Sequence, residues 1–475
     1  MEFHVSLVGR DDLTGQIFQQ VRAAILDGRL RAGDALPPTR ELAQRLAVSR
    51  NTVSAAYDRL TAEGFLEART GSGTFVREAG LGRQPEPARG QDLRALPVWD
   101  TISPPRPEDR RFEFDFRIGI PDMRLFPFAS WRRILARQFT PAGMEVVVHD
   151  SAASHPALSA ALARHIGVSR AVRASADDVL VTNGAQQAVD LVARILLEPG
   201  TVAAVEDPGY IGPRDVFRSQ GATVVGVPVD DEGIVVSALP SDARLVYVTP
   251  SHQFPLGMPM SLSRRTALLD WAERTGAVII EDDYDSEFRF GGRPIEPLQN
   301  LDRSGRVVYV GSLSKVLMPP LRMGFLIAPP SLRPALRAAK YVNDWHSTRP
   351  MQATLAEFID EGLLARHIRR TRSEYRARHE LITAIFRRDF ADVLTPVPVV
   401  AGMHVSAYLT DGPDDVDIVK AARRAGVAVH ALSPFSHQLP GRTGLALGYG
   451  GIQRDSIEEG LRRLRACISS VRRAG

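Results

Sequence analysis

The chain has 475 residues, 44% of them apolar, and a formal net charge of +4 from 59 basic and 55 acidic side chains. That length suffices for roughly three packing units of ordinary globular composition, and so small a surplus excludes a polyanion-binding surface spread over the whole molecule, leaving only a local patch. One cysteine, Cys467, excludes an internal disulfide and a cysteine-built zinc site, while the lack of any run near the ~18 apolar residues of a membrane span, or of a basic stretch leading into an apolar one, sets a cytoplasmic location, with no membrane partner, as the expectation.

From the N-terminus, residues 10–78 read as a compact helical unit closed by a hairpin. Leu13, Ile17, Val21 and Ile25 recur every fourth residue and predict one amphipathic helix. A short helix follows Pro37 and Pro38 with Leu42, Ala43 and Leu46 inward, and Ala47 and Val48 make a turn. Ser49 is placed to cap the next helix, whose inner face is Val53, Tyr57 and Leu60. FLEAR, a TGSG turn and TFV then predict a two-stranded hairpin with a glycine tip.

Helix, turn, helix and glycine-tipped hairpin in that order form a winged helix-turn-helix. The second helix of such a pair enters the major groove with its N-terminal residues against the base edges. Here those residues are Ser49, Arg50, Asn51 and Thr52, with Ser54 and Ala55 also off the apolar stripe. Arg40 opens the supporting helix and can neutralise a phosphate, while Arg69, Gly71 and Gly73 sit at the wing. Double-stranded DNA is the expected partner. A small helical interaction module with solvated arginines would use the same residue types.

Residues 79–112, rich in proline, arginine and acids without a sustained period, read as a linker. From 113 to 475 short apolar runs alternate with helical segments. DVLVT, TVAAVED, ATVVGVPV, RLVYVTP, AVIIEDD, RVVYVGS and RMGFLIA are strand candidates, with QQAVDLVARILLE and SRRTALLDWAERTG among the helices between them. Such alternation predicts an α/β fold with a mostly parallel, covered sheet. The part from about 332 reads as a smaller α+β unit.

The chemistry of this part begins with lysine, which occurs only at 315, 340 and 420. Arginine stays protonated and cannot act as an amine nucleophile, so each lysine is a candidate for covalent chemistry. Lys315 lies in GSLSKVLMPPLRMG, just after a strand, where open α/β sheets bind ligands. Ser312, Ser314 and Arg322 around it are suited to one phosphate. In IIEDDYDSEFR, Asp282 can keep a heterocyclic nitrogen protonated and Tyr284 can donate to a ring oxygen. The crowded Glu281, Asp282, Asp283, Asp285 and Glu287 would equally suit a magnesium site, and the Lys315 segment decides for the ring-nitrogen role with no metal. Gly184, Ala185 and Gln186 open a helix directly after a strand, a seat for an anion as well as a plain turn. Tyr210, after TVAAVED, is either a stacking partner or a core tyrosine.

The segment LPPTRELAQRLAVSRNTVSAAYDRLTAEGFLEARTGSGTFV resembles the GntR-type winged-helix regulators over its whole length. With the segments around 184, 210, 282 and 315, and with TPSHQFPLG (249–257) and HIRRTRSEYRARH (367–379), almost the entire chain resembles the MocR subfamily, also called GabR-like. In that subfamily a GntR-type reader is fused to a fold-type-I aminotransferase domain. The resemblance implies pyridoxal 5′-phosphate as cofactor, with Lys315 carrying its internal aldimine. Asp282 would meet the pyridine nitrogen, Tyr284 the ring oxygen and Tyr210 the ring face, while Gly184, Ala185, Gln186, Ser312, Ser314 and Arg322 would hold the phosphate. It also implies a homodimer.

Two departures bear on the ligand. Working aminotransferases carry Asn-Pro where this chain has Phe254-Pro255, which leaves His252 or Gln253 as substitutes for the Asn contact. The arginine that grips a substrate carboxylate is replaced by Ala446 in GLALGYG, with Arg442 off register. Two readings result. One is a regulator that senses an amine, an amino acid or pyridoxal phosphate itself; the other is an active aminotransferase with an accessory DNA-binding domain.

Overall fold

The computed structural model describes residues 5–9, 11–77, 94–104, 112–140, 154–291, 296–399, 401–410, 414–438 and 441–474. Most of the expected linker at 79–112 lies outside the described residues. The chain divides into two compact units, Met1–Ala95 and Leu96–Gly475.

The first unit is built on α1 (Leu13–Leu26), α2 (Thr39–Arg45) and α3 (Arg50–Ala62), followed by β1 (Leu66–Arg69) and β2 (Gly73–Val76). The fourfold apolar spacing buries Ile17, Val21 and Ile25 of α1 against Val53, Ala56, Tyr57 and Leu60 of α3 in one core. Asp12 caps α1 by accepting from the Gly15 amide at 3.0 Å, and the Tyr57 hydroxyl donates to the Pro37 carbonyl at 3.0 Å, tying α3 to the entry of α2. The two strands pair antiparallel from Leu66 opposite Val76 to Arg69 opposite Gly73, and Ala35 adds a bridge to Phe75.

The second unit opens with β3 (Phe114–Asp115), α4 (Phe128–Gln138) and α5 (Pro156–Arg170). Strands and helices then alternate through β4 (Val179–Thr182), α6 (Ala185–Leu196), β5 (Val202–Asp207), α7 (Ile211–Ser219), β6 (Thr223–Asp230), β7 (Gly233–Ile234) and β8 (Leu245–Val248). The alternation ends with α8 (Leu262–Thr275), β9 (Val278–Asp283), α9 (Leu298–Leu301), β10 (Val307–Ser312) and β11 (Gly324–Ile327). These strands form one sheet in the order β4-β11-β10-β9-β8-β5-β6-β7. The neighbours from β10 to β6 run parallel, whereas β11 is antiparallel to both β10 and β4. All seven apolar runs expected as strands lie in this sheet. Both its faces are covered, by a cluster around α6 and α7 on one side and by one around α8 on the other, which is why the strands read as unbroken apolar runs.

The rest is helical, then mixed. Helices α10 (Arg333–Asp344), α11 (Arg349–Asp360) and α12 (Leu363–Asp389) lead to β12 (Leu394–Pro396), β13 (His404–Leu409), α13 (Asp415–Arg424), β14 (Val427–Ala428), β15 (His430–Ala431), β16 (Gly444–Gly448) and α14 (Ile457–Ala474). A four-stranded antiparallel sheet, β12-β13-β16-β15, carries this smaller part, and β14 reaches back to pair with β3. No described helix is long and apolar enough to cross a membrane.

Candidate cofactor site and nucleic-acid interface

A cavity of about 330 Å³ lies at the carboxyl ends of β4, β8, β9 and β10, the end at which open α/β sheets bind ligands. Successive side chains on a strand point to opposite faces, so Asp282 of β9 faces this cavity while Glu281 and Asp283 turn away. Nine of the residues expected to hold a cofactor line it: Lys315, Asp282, Tyr284, Tyr210, Ala185, Gln186, Ser312, Ser314 and Arg322. The tenth, Gly184, caps α6 with φ +81°, and a Cβ there would come within 3.2 Å of the Arg322 guanidinium.

Asp282 is buried. One oxygen accepts from the Tyr247 hydroxyl at 2.5 Å; the other, Oδ1, is buried without a partner among the described residues. Burial pushes this carboxyl up to about 7, against the Tyr247 hydrogen bond and helped by Asp283. Lys315 Nζ donates to the Gly119 carbonyl at 2.9 Å. Burial pulls its amine below the usual range, with Asp285 and Asp282 opposing the shift and Arg322 adding to it. The site thus holds a readily deprotonated amine and a carboxylate with one vacant lone-pair direction.

Ser312 and Ser314 are buried at the end of β10, with the Ser314 amide donating to Ser312 Oγ at 3.3 Å. Arg322, in the left-handed region at φ 49°, donates to the Asn183 carbonyl at 2.9 Å. It thereby meets the first turn of α6, whose free N–H groups and positive end favour an anion. Tyr210 sits at the start of α7, its ring edge-on to Phe254 at 5.4 Å.

The Tyr284 hydroxyl donates to the His252 carbonyl at 2.8 Å, and His252 Nδ1 lies 3.0 Å from Asp285. His252 and Gln253, the suggested substitutes for the missing Asn, do not line the cavity. The Gln253 amide instead donates to the carbonyls of Pro208 at 2.9 Å and Phe254 at 2.8 Å. Ala446 is packed in an apolar cluster with Leu256, Met258 and Leu432, and Arg442 is stacked on the Tyr408 ring at 3.7 Å. Arg322 is therefore the one guanidinium among the described residues lining the cavity.

Sequence reasoning missed Tyr247, Gly119, His404 and His430 as neighbours of the site. Tyr247 carried a usable signal, since it stands in a strand run next to that of Asp282. Gly119, His404 and His430 arrive from the start of the unit and from the small sheet, and nothing local marks them.

In the first unit Ser49 caps α3, accepting from the Thr52 amide at 3.1 Å. Arg40, Ser49, Arg50, Asn51 and Ala55 are exposed, and Thr52 and Ser54 are half-buried. The Arg50 Nε donates weakly to Thr39 Oγ1 at 3.4 Å, bridging the two helices. At the wing Gly71 and Gly73 take φ +79° and +113°. Arg69 is paired with Glu67 at 2.6 Å and lies over the Phe75 ring.

Residues 13–76 match the family of bacterial regulatory proteins, gntR family, and residues 123–463 match aminotransferase class I and II. The chain is 39% identical to the probable rhizopine catabolism regulatory protein MocR of Rhizobium meliloti, over 97% of this chain and 94% of that protein. It is 31% identical to the pyridoxine biosynthesis transcriptional regulator PdxR of Corynebacterium glutamicum, over 96% and 95%. Among solved structures, the α-aminoadipate aminotransferase LysN of Thermus thermophilus, complexed with N-(5′-phosphopyridoxyl)-L-leucine, superposes with a TM-score of 0.69 and 30% identity over 75% of this chain and 92% of that one.

The residues present fit that kind of cofactor. The unpartnered Oδ1 of Asp282 is an acceptor for a ring N–H, the lowered Lys315 amine suits an aldehyde, and the α6 N-terminus with Arg322 suits a phosphate. The chain belongs to the MocR type of GntR-family transcription regulators, a winged-helix DNA reader joined to an aminotransferase-like domain that uses pyridoxal 5′-phosphate.

Proposed function

We propose that the aminotransferase-like unit is a ligand sensor, in which binding at the cofactor cavity sets the affinity of the winged helix for its operator. When bound, the cofactor supplies an electrophilic carbon and an electron-withdrawing ring. Lys315 presents to that carbon an amine that burial makes easier to deprotonate, Asp282 holds a proton on the ring nitrogen, and Tyr210 and Tyr284 border the ring. Gly184, Ala185, Gln186, Ser312, Ser314 and Arg322 seat the phosphate. At the operator, Arg50, Asn51, Thr52 and Ser54 meet base edges from the cap formed by Ser49, while Arg40, Arg69 and the wing glycines 71 and 73 meet the backbone. A homodimer places two readers on two half-sites, and the protein works in the cytoplasm, where its DNA is.

The observation that carries a sensor rather than an aminotransferase is the cavity's lack of a second guanidinium among the described residues, since Arg322 is engaged at the phosphate end. An amino-acid substrate would leave its carboxylate without a charged partner, and a buried unpaired charge is costly. The signal is therefore an amine without that carboxylate, or the cofactor itself.

Spectral titration of the full-length protein tests this. Addition of pyridoxal phosphate should raise a visible band that borohydride fixes at residue 315, and that Lys315→Ala abolishes without unfolding the chain. Promoter DNA should be retained specifically, with an affinity that falls steeply with salt. Turnover of common amino-acid and keto-acid pairs at about 1 per second or faster would replace the sensor reading by the enzymatic one.

A further inference from the structure

A second cavity, of about 560 Å³, is lined by α5, the turn at 286–289 and the first half of α12. It is approached from the residue next to Asp282: Asp283 points away from the cofactor cavity and pairs with Arg170 at 2.6 Å. Arg170 lines the second cavity together with Arg164, Arg289, Arg369, Arg372 and His165. Two acidic residues, Glu287 and Asp360, also face it.

The charges do not cancel. Asp360 is paired with Arg164 at 2.6 Å, and Asp283 is taken by Arg170. Arg289, Arg369 and Arg372 have no ion-pair partner among the described residues. Burial and the neighbouring Asp283 push the Glu287 carboxyl up, so this group is a weak counter-charge. Two polar atoms of the lining, Arg289 Nε and His165 Nε2, are buried with no partner among the described residues. Unpaired buried polar atoms are rare in folded proteins because each costs free energy until a ligand or water meets it. Guanidinium forks match phosphate oxygens two at a time, and the volume lies within the ordinary range for small-molecule sites.

We infer that this cavity is a second ligand site, specific for a small, multiply charged anion of the phosphorylated-metabolite class, and separate from the cofactor site. Arg369 and Arg372, one turn apart on α12, grip the anion from the open side, and Arg289 Nε meets it from within. A duplex backbone is the poorer fit, because the unpartnered Arg289 Nε is buried and a rigid double helix cannot reach it.

Inorganic pyrophosphate is the probe, titrated calorimetrically into the cofactor-loaded, full-length protein while the visible band reports any displacement of the cofactor. Saturable binding with the band intact is expected, weakened at least tenfold in Arg369→Ala/Arg372→Ala. Both side chains are exposed, so that variant should keep its fold and its band. Equal affinity in the variant, or no saturable heat at millimolar probe, overturns the assignment. So does a variant whose sole defect is looser operator binding with a shallower salt dependence, which would make this face a DNA contact.

Discussion

Asp282 is where burial and chemistry meet in one side chain. Its carboxyl, pushed up to about 7 from an ordinary 3.8, keeps in the folded, cofactor-free protein a proton that the unfolded chain releases near pH 4. Its contribution to stability is therefore present at low pH and is lost as pH rises from about 4 to 7. A cationic ring nitrogen favours the carboxylate and removes that penalty. The melting-temperature gain from pyridoxal phosphate should grow between pH 5.5 and 8, and Asp282→Asn should flatten the rise; an equal slope in the variant would assign it to other groups. Glu206 is also pushed up to about 7, by burial first and with Asp282 adding to the shift, so part of the pH slope passes through it.

Gly184 sits where only glycine fits. Its φ of +81° with ψ of 172° lies in a region essentially reserved for glycine and costs any other residue about 1–3 kcal/mol, and a methyl group would press on Arg322. Gly184→Ala should weaken cofactor affinity about tenfold or more, read by dialysis and absorbance.

Among the elements, α3 has to be rigid to read bases, and its first turn depends on Ser49. Ser49→Ala should lower the stability of the winged-helix unit by about 1 kcal/mol, seen in denaturant unfolding, with the cofactor band unchanged. Arg40→Ala, at a backbone contact, should lower the slope of log affinity against log salt by about 1, whereas Asn51→Ala should relax preference at one base pair.

The elements were also the most legible part of the sequence. Each central strand is buried on both faces and so appears as a bare apolar run, and α6 carries a clear helical period. The two-residue strands β3, β7, β14 and β15 were not legible, because two residues have no period. The site was legible wherever its residues stand at strand ends or in a glycine turn, as Asp282, Lys315 and Gly184 do. It was not legible where the chain folds back from afar, as with Gly119 beneath Lys315 and His404 from the small sheet, nor did sequence show that the Tyr284 hydroxyl turns to His252.

For the whole molecule, the two units have cores with no residue in common. Regulation then requires a coupling free energy between them, and coupling is reciprocal. If a saturating amine changes operator affinity by some factor, saturating operator DNA must change the amine's affinity by the same factor. Both can be measured by fluorescence anisotropy and spectral titration at one salt concentration. Unequal factors would mean that a third species, such as a change in assembly state, takes part.

The scarcity of lysine has a practical corollary. Lys340 is buried against Asp344 and Lys420 is exposed beside Asp417, and with Lys315 they complete the set. An endoprotease that cuts only after lysine will divide the denatured chain into four peptides. Blocking residue 315 by reduction fuses the first two into a single piece running to 340, so one mass spectrum reports the fraction of molecules that carried the vitamin.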